Sequence, residues 1–465
     1  MYELTIWLTG AIALGAAWMG YRSSRDTFHP LVFLGPMLAY SYGLTPLLLL
    51  YSGGPWRWLP REAMPYVQLY YLLGVLMITA GVLSAGRPPR KRAKPWDPAP
   101  ALRRQLRSSG LLLGGIGVAA FYYMVDNVGG LEAAYGTAHG EGWADSGYVR
   151  EAFFLIIPAL MLLLMAHGGR RLRLPDAILF AIIGAPMLFH AVVGANRGPT
   201  FMIVMVLFVG WYLVQNRRPS MRTLLGVFGA TAFLLLFLVV NRNMIYLGAK
   251  EFDFKSPGAI VEFVDRNTTG NEYILGSGMV INSYITGDYQ WGARYVIGTV
   301  IRGIPSSIWP SKYEDVGGFL GVSVAGIDED FADFTATLGW KSTGGASIGF
   351  LPEVFQQFSV FGLALVFAIG RFYGITWRRA VGQGGFWLLT YGVAVALSVF
   401  LTQQTFLAML YRLMFFCAGG LIVWLLFIRS ASPRPRVQAG MAHPRTRESE
   451  RVRGDSGISP GIQRG

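Results

Sequence analysis

Cysteine is almost missing from this chain: Cys417, set inside an apolar run, is the only one in 465 residues. A single thiol excludes an intrachain disulfide and speaks against a cysteine-ligated metal site. Histidine is scarce too, and His29, His139, His167, His190 and His443 include no pair at metal-ligand spacing. Charge is sparse, at 14% of residues, where soluble globular proteins carry about a quarter. Neither a Walker loop nor a Rossmann fingerprint is present, so direct use of ATP or nicotinamide is not expected. None of the long apolar runs alternates, which excludes a transmembrane β-barrel. Glu3 stands where a cleavable signal would carry Lys or Arg, so the first run reads as a retained span.

What the chain has in abundance is apolar length. It is 53% hydrophobic, with a mean hydropathy of +0.42. Many windows of about 18 to 22 residues hold few or no charges, enough to cross a hydrocarbon core about 30 Å thick. The reading is an all-α, polytopic transmembrane helical bundle of about eleven spans. They are placed near 4–21, 31–51, 66–85, 109–127, 151–168, 176–195, 199–215, 222–247, 351–371, 386–403 and 405–428. Residues 1–247 form an N-terminal group of eight spans, with a basic connection at 86–108. Residues 248–350 form one large loop, 351–428 three C-terminal spans, and 429–465 a basic, disordered tail.

The net charge of +14 has to be mapped before it is read as a sign of nucleic acid. Arg22 and Arg25 follow the first span. The third connection holds Arg87, Arg90, Lys91, Arg92, Lys94, Arg103, Arg104 and Arg107 against Asp97 alone. Arg170, Arg171 and Arg173 follow the fifth span, Arg217, Arg218 and Arg222 the seventh, Arg378 and Arg379 the ninth. With eleven spans all these clusters fall on one side, the cytoplasmic one. The N-terminus is then outside and the tail inside. Attraction to anionic lipid head groups accounts for the charge, and nucleic acid is unnecessary.

The large loop is therefore expected on the outer face. The stretch from Asn241 to about Gln357, which contains it, interleaves Arg242, Lys250, Lys255, Arg266, Arg294, Arg302, Lys312 and Lys341 with Trp, Tyr and Gly, the composition of a recognition surface. Its apolar stretches Tyr273–Ile285 and Tyr295–Ile308 are too short or too Gly-interrupted to span. They read as helices lying in the outer interface or dipping back into protein. A second outer segment, 128–150, carries Glu132, His139, Glu141, Asp145 and Arg150.

Four features on this face can carry chemistry. Arg197, in Gly194-Ala195-Asn196-Arg197-Gly198-Pro199, is either a snorkelling hairpin residue or an anion clamp, since guanidinium forks match phosphate oxygens. In the segment from Arg302 to Lys312, two prolines bracket Trp309. It is either an interfacial anchor or a groove wall, with Trp309 against a sugar and Arg302 or Lys312 against phosphate. Ser342 to Gly349 forms a small-residue approach to Phe350-Leu351-Pro352-Glu353, a nest suited to an anion. There Glu353 either favours the positive helix end or serves as a general base on a hydroxyl. Arg412, the only formal charge within the last span, is a functional candidate facing the bundle interior or a structural partner. His190 reads as a polar contact inside the bundle. The acidic group Asp328, Glu329, Asp330 and Asp333 lacks calcium-loop spacing and reads as a solvated face. Asn267-Thr268-Thr269 matches a glycosylation pattern too short to weigh.

Taken together, these pieces resemble the Wzy-type O-antigen and oligosaccharide repeat-unit polymerases of bacteria. The likeness rests on Gly194 to Gly198, on Ile304-Pro305 followed by Trp309-Pro310-Ser311-Lys312, and on Gly344–Glu353 followed by Phe361-Gly362. It covers about residues 190–370 in motif and the whole chain in topology. The sequence departs from it at Ser306 and at Lys312-Tyr313, where such polymerases often carry Arg and Lys-Pro. The resemblance implies a bundle of the GT-C kind in the bacterial inner membrane. It also implies transfer of a growing glycan from undecaprenyl diphosphate to a sugar hydroxyl of the next unit, on the periplasmic side. Arg197, Arg302 and Arg412 would hold the diphosphate, with no metal or other cofactor expected. Arg242, Arg266, Arg294, Trp309, Lys312 and His190 would bind diphosphate or sugar, and Glu353 would be the base, ahead of His190 or Glu272. A chain-length regulator and a flippase are the implied partners. An O-antigen ligase, a lipid-linked oligosaccharide transporter and a non-catalytic export component remain alternatives.

Overall fold

The computed structural model describes residues 1–52, 59–86, 96–136, 151–170, 172–194, 197–241, 245–247, 271–302, 304, 308–321 and 347–428. Among them every regular element is helical. In chain order the helices are α1 (Tyr2–Ser24), α2 (Pro30–Tyr51), α3 (Met64–Ser84), α4 (Pro100–Asn127), α5 (Leu131–Tyr135), α6 (Ile156–His167), α7 (Leu174–Val193) and α8 (Arg197–Val214). There follow α9 (Met221–Val240), α10 (Asn271–Thr286), α11 (Ala293–Val296, continued by a π turn Ile297–Ile301) and α12 (Lys312–Leu320). The last four are α13 (Phe350–Phe358), α14 (Gly362–Gln383), α15 (Phe386–Gln403) and α16 (Phe406–Val423).

Nine helical stretches among the described residues are long and apolar enough to cross a membrane. This is a multi-pass helical membrane protein. Two shorter apolar helices, Glu151–His167 and Gly198–Val214, coincide with the fifth and seventh spans expected from sequence. Large apolar side chains such as Trp7, Trp18, Ile182, Leu225 and Phe233 stay exposed on the helix surfaces. A hydrocarbon solvent accounts for that, because lipid tails exact no penalty for apolar contact.

Close packing depends on small residues. A Cβ on Gly81 would stand 2.1 Å from the Phe367 carbonyl oxygen, and one on Gly370 2.2 Å from that of Ile78. These glycines let the backbones of α3 and α14 touch, the device by which membrane helices associate without a hydrophobic drive between them.

The connections that carry the basic clusters meet at one end of the bundle. Asp26, buried after α1, pairs with Arg218 after α8, and the Trp377 indole of α14 donates to it at 3.3 Å. Arg378 donates to the Ala85 carbonyl after α3 at 2.8 Å. Trp96 donates its backbone N–H to Val214 and its indole N–H to Met165, both at 3.0 Å. The segments after α1, α3 and α8 and the basic end of α14 are thus tied together, with Met165 near the end of α6 joined to them. Removing one partner of a buried ion pair such as Asp26–Arg218 costs about 3–5 kcal/mol, so this end is firmly held.

One detail departs from expectation, and one settles between two alternatives. The ninth span, expected as one helix over 351–371, is broken at Ser359, whose φ of +53° no helix tolerates. α13 is buried from Phe350 to Gln357, and α14 makes the long apolar run. The loop stretch Tyr273–Ile285 lies within α10, which is buried from Tyr273 to Val280 and exposes Tyr284 and Ile285. Its inner half dips into protein. Tyr273 donates to Gln68 at 2.8 Å and shares a hydrogen bond with Tyr2 at 3.0 Å.

Candidate functional site

At the end of the bundle opposite the basic connections, two arginines from distant parts of the chain converge on one carboxylate. Arg302 follows the π turn of α11, its N–H bonded to the Ile297 carbonyl. Arg412 lies on α16, two turns from its start. Gly298 allows this meeting, since a Cβ there would stand 2.7 Å from Leu407 on α16. Between the two arginines is Glu151, 5% exposed, just before α6. Arg302 Nη2 is 3.4 Å from one of its oxygens, and Arg412 Nε is 4.0 Å from the other.

Aromatic rings wall the cluster. The guanidinium carbons of Arg302 and Arg412 lie 4.7 and 4.5 Å from the centre of the Tyr411 ring. Arg412 also stands over Phe400 at 4.3 Å and Phe154 at 5.6 Å. A cation on an aromatic face is attracted by about 2 kcal/mol where desolvated, as at Arg412, and by about 0.5–1 kcal/mol where exposed, as at Arg302, so the rings hold guanidinium groups without neutralising them. Arg412 Nη1 donates to the Ala408 carbonyl at 2.9 Å, while its Nε and Glu151 Oε2 make no hydrogen bond. Among the described residues two guanidinium groups face this carboxylate, and the Arg412 Nε donor is unused. The side chain of Arg302 is 45% exposed and that of Arg412 13%, so the cluster opens outward on the Arg302 side.

α8 reaches the same place. Its second residue, Gly198, packs so closely on Phe400 that a Cβ would stand 2.5 Å from the ring. Arg197, the first residue of the helix, therefore begins beside the ring that Arg412 covers. The structure thus brings two of the sequence-selected arginines, 302 and 412, to one carboxylate, with the start of α8 packed close by.

Glu353 is elsewhere, away from the arginine cluster and closed off from solvent. It is fully buried, and its carboxylate accepts the backbone N–H groups of Phe406 at 2.5 Å and Leu407 at 3.2 Å. Those are otherwise orphan donors of the first turn of α16. A carboxylate at a helix N-terminus meets both the free N–H groups and the positive dipole end. The helix it caps is the one that carries Arg412, not its own. Arg294, also buried, donates to Gln356 at 3.5 Å, and its charge acts on Glu353.

Lys312 and Trp309 are likewise engaged locally. Lys312 is buried, its amine bonded to the Ile304 carbonyl, which closes the turn before α12. The Trp309 indole and the Ser311 hydroxyl donate to Asp315 at 2.6 and 2.7 Å. The hydroxyl first, and the indole after it, hold the Asp315 carboxyl below its usual range. Neither Lys312 nor the Trp309 N–H faces the arginine cluster. His190, 7% exposed, pairs with the Tyr135 hydroxyl at 2.9 Å and packs its ring on Phe153, the polar bundle contact expected of it. Glu272 lines a crevice of about 30 Å³ with Tyr42, Tyr71 and Tyr273, room for little more than a water. Arg242, Lys250, Lys255, Arg266, Asn267–Thr269, the acidic group 328–333, Lys341 and most of the nest 342–349 lie outside the described residues, as do His139, His443 and the basic run 87–95.

Sequence reasoning missed Glu151 and Tyr411. Glu151 did offer a signal, being the single carboxylate at the head of the apolar run 151–168. Its partners lie 151 and 261 positions away, so nothing local marked it. Comparison with family models, with curated proteins and with solved structures finds no match. The class established is the multi-pass helical membrane protein described above.

Proposed function

We propose that the chain is a membrane glycosyltransferase that polymerises lipid-linked oligosaccharide repeat units. In this reading the arginine cluster receives the diphosphate of an undecaprenyl-diphosphate-linked glycan at the outer face of a bacterial inner membrane. The observation that carries it is the convergence of Arg302 and Arg412 on the buried Glu151, with α8 packing Gly198 on the Phe400 ring that Arg412 covers. Guanidinium is the side chain best matched to phosphate oxygens, and a diphosphate entering on the exposed Arg302 side would meet two of them. The placement of the cluster at the end away from the basic connections supports an outer-face reaction under the positive-inside rule.

The chemistry follows from that placement. The bond between the anomeric carbon of the growing glycan and the diphosphate oxygen breaks. A hydroxyl oxygen of the next unit forms the new bond to that carbon. Negative charge grows on the departing diphosphate, where fixed guanidinium groups act as a preorganised charge clamp. The departing diphosphate takes up the hydroxyl proton, being the base that the reaction itself generates. Glu151 fixes the two guanidinium groups in place, and Glu353 holds the helix that presents Arg412. The family likeness of the motifs around 194–198, 304–312 and 344–353 favours a polymerase over a ligase.

The test is a ladder assay. Purified full-length protein in lipid nanodiscs receives synthetic undecaprenyl-diphosphate repeat units, with and without a chelator, and products are sized. A ladder of multiple units is expected in both arms. A single transfer to a lipid A core acceptor would replace the polymerase by a ligase, and unreacted substrate moved across a vesicle membrane would replace it by a transporter.

A further inference from the structure

At the basic end of the bundle, α4, α6 and α7 enclose a cleft of about 760 Å³, within the size range of ligand sites. Four arginines line it: Arg103 and Arg107 from the first turns of α4, and Arg170 and Arg173 from the connection to α7. The carboxylate in the lining is Asp176, 3.9 Å from Arg107 and 3.7 Å from His167. Asp97, next to the cleft, is 2.7 Å from Arg103 and 4.0 Å from Arg170. Arg173 has no ion-pair partner among the described residues. The side chains of Arg107 and Arg170 are more than half exposed, so the rim is open to a ligand, while Arg103 is fixed by the Ala166 carbonyl at 3.1 Å.

The inner wall is of the opposite character. Leu163, Leu179 and Phe180 continue the cleft into the membrane-spanning bodies of α6 and α7. His167 stacks on Trp211 at 5.8 Å and bonds the Arg170 carbonyl at 2.8 Å, which stiffens the floor beneath the arginines. A basic rim at the level of the head groups above an apolar wall at the level of the chains matches one kind of ligand, an amphiphile with an anionic head.

We propose that this cleft binds the phosphate head group of an anionic diacyl phospholipid, with its chains lying along Leu163, Leu179 and Phe180. Basic pockets between membrane helices recognise such head groups by charge at short range. A free phosphate ion would use the arginines but gain nothing from the apolar wall. The site lies at the opposite end of the bundle from the Arg302–Glu151–Arg412 cluster. It requires only that the helices lie in a bilayer, so it stands or falls independently of the glycan chemistry.

The test titrates the purified full chain in mild detergent with fluorescent phosphatidylglycerol, using phosphatidylcholine and inorganic phosphate as competitors. Saturable binding is expected, with phosphatidylcholine failing to compete and inorganic phosphate competing only at far higher concentration. The double variant Arg107→Gln/Arg173→Gln should bind about thirtyfold more weakly, while Arg107→Lys/Arg173→Lys stays near the unmodified protein. Both positions are exposed, so the melting temperature of each variant should be unchanged. Equal competition by phosphatidylcholine would overturn head-group recognition, and equal competition by inorganic phosphate would reduce the site to a free-anion site. Undiminished affinity in the glutamine variant would remove the cleft from consideration altogether.

Discussion

Arg412→Ala and Arg302→Ala should each lower ladder formation by about 10²–10³-fold, the loss seen when one preorganised donor to a developing anion is removed. The two effects should not add, because both side chains hold the same carboxylate and face the same ring. Arg412 should be the more sensitive of the pair to a lysine replacement. It stands over Phe400, Tyr411 and Phe154 with its side chain 13% exposed, and lysine loses the flat stacking surface and the fork together. Arg302 is nearly half exposed and should tolerate lysine better. Rates from the ladder assay, with melting temperatures measured beside them, check both statements. Full activity in both alanine variants would remove the cluster from the reaction.

Glu353→Leu should be among the most damaging single changes to stability, at about 3–5 kcal/mol. It strands the first N–H groups of α16 in a buried setting and leaves Arg294 without its nearby anion. Glu353→Gln separates anchoring from proton transfer. The amide oxygen still accepts one or both backbone N–H groups, so a positioning residue leaves a protein of lower melting temperature with much of its activity. A residue acting as base would instead give a protein of unchanged melting temperature and no ladder. The structure favours the first outcome, since neither carboxylate oxygen is turned toward open space.

Much of the architecture was legible in the chain because a bilayer imposes simple rules. Apolar length marked the helices, and basic clusters recur in the segments between them. The ties Asp26–Arg218, Arg378–Ala85 and Trp96–Val214 gather those clusters at one end. The break at Ser359 was not legible, since a serine with positive φ leaves no trace in hydropathy. Arg197, Arg302 and Arg412 could be picked out because a cation beside apolar sequence is costly unless it has work to do. Their common partner could not, as Glu151 is joined to them only by the fold. The helix-end role read for Glu353 was placed on its own helix, but the N–H donors belong to α16, 53 and 54 positions further on.

The most direct test of the central claim is to find where the lipid diphosphate sits. A photoactivatable undecaprenyl-diphosphate oligosaccharide would be bound to the protein in nanodiscs, irradiated, and the labelled peptides sequenced. The account predicts cross-links to peptides containing Glu151, Arg302 and Tyr411–Arg412, suppressed by excess unlabelled donor and lost in the Arg302→Ala/Arg412→Ala double variant. Labelling confined to the opposite end, around Arg103 to Asp176, with none near Arg302 or Arg412, would contradict it.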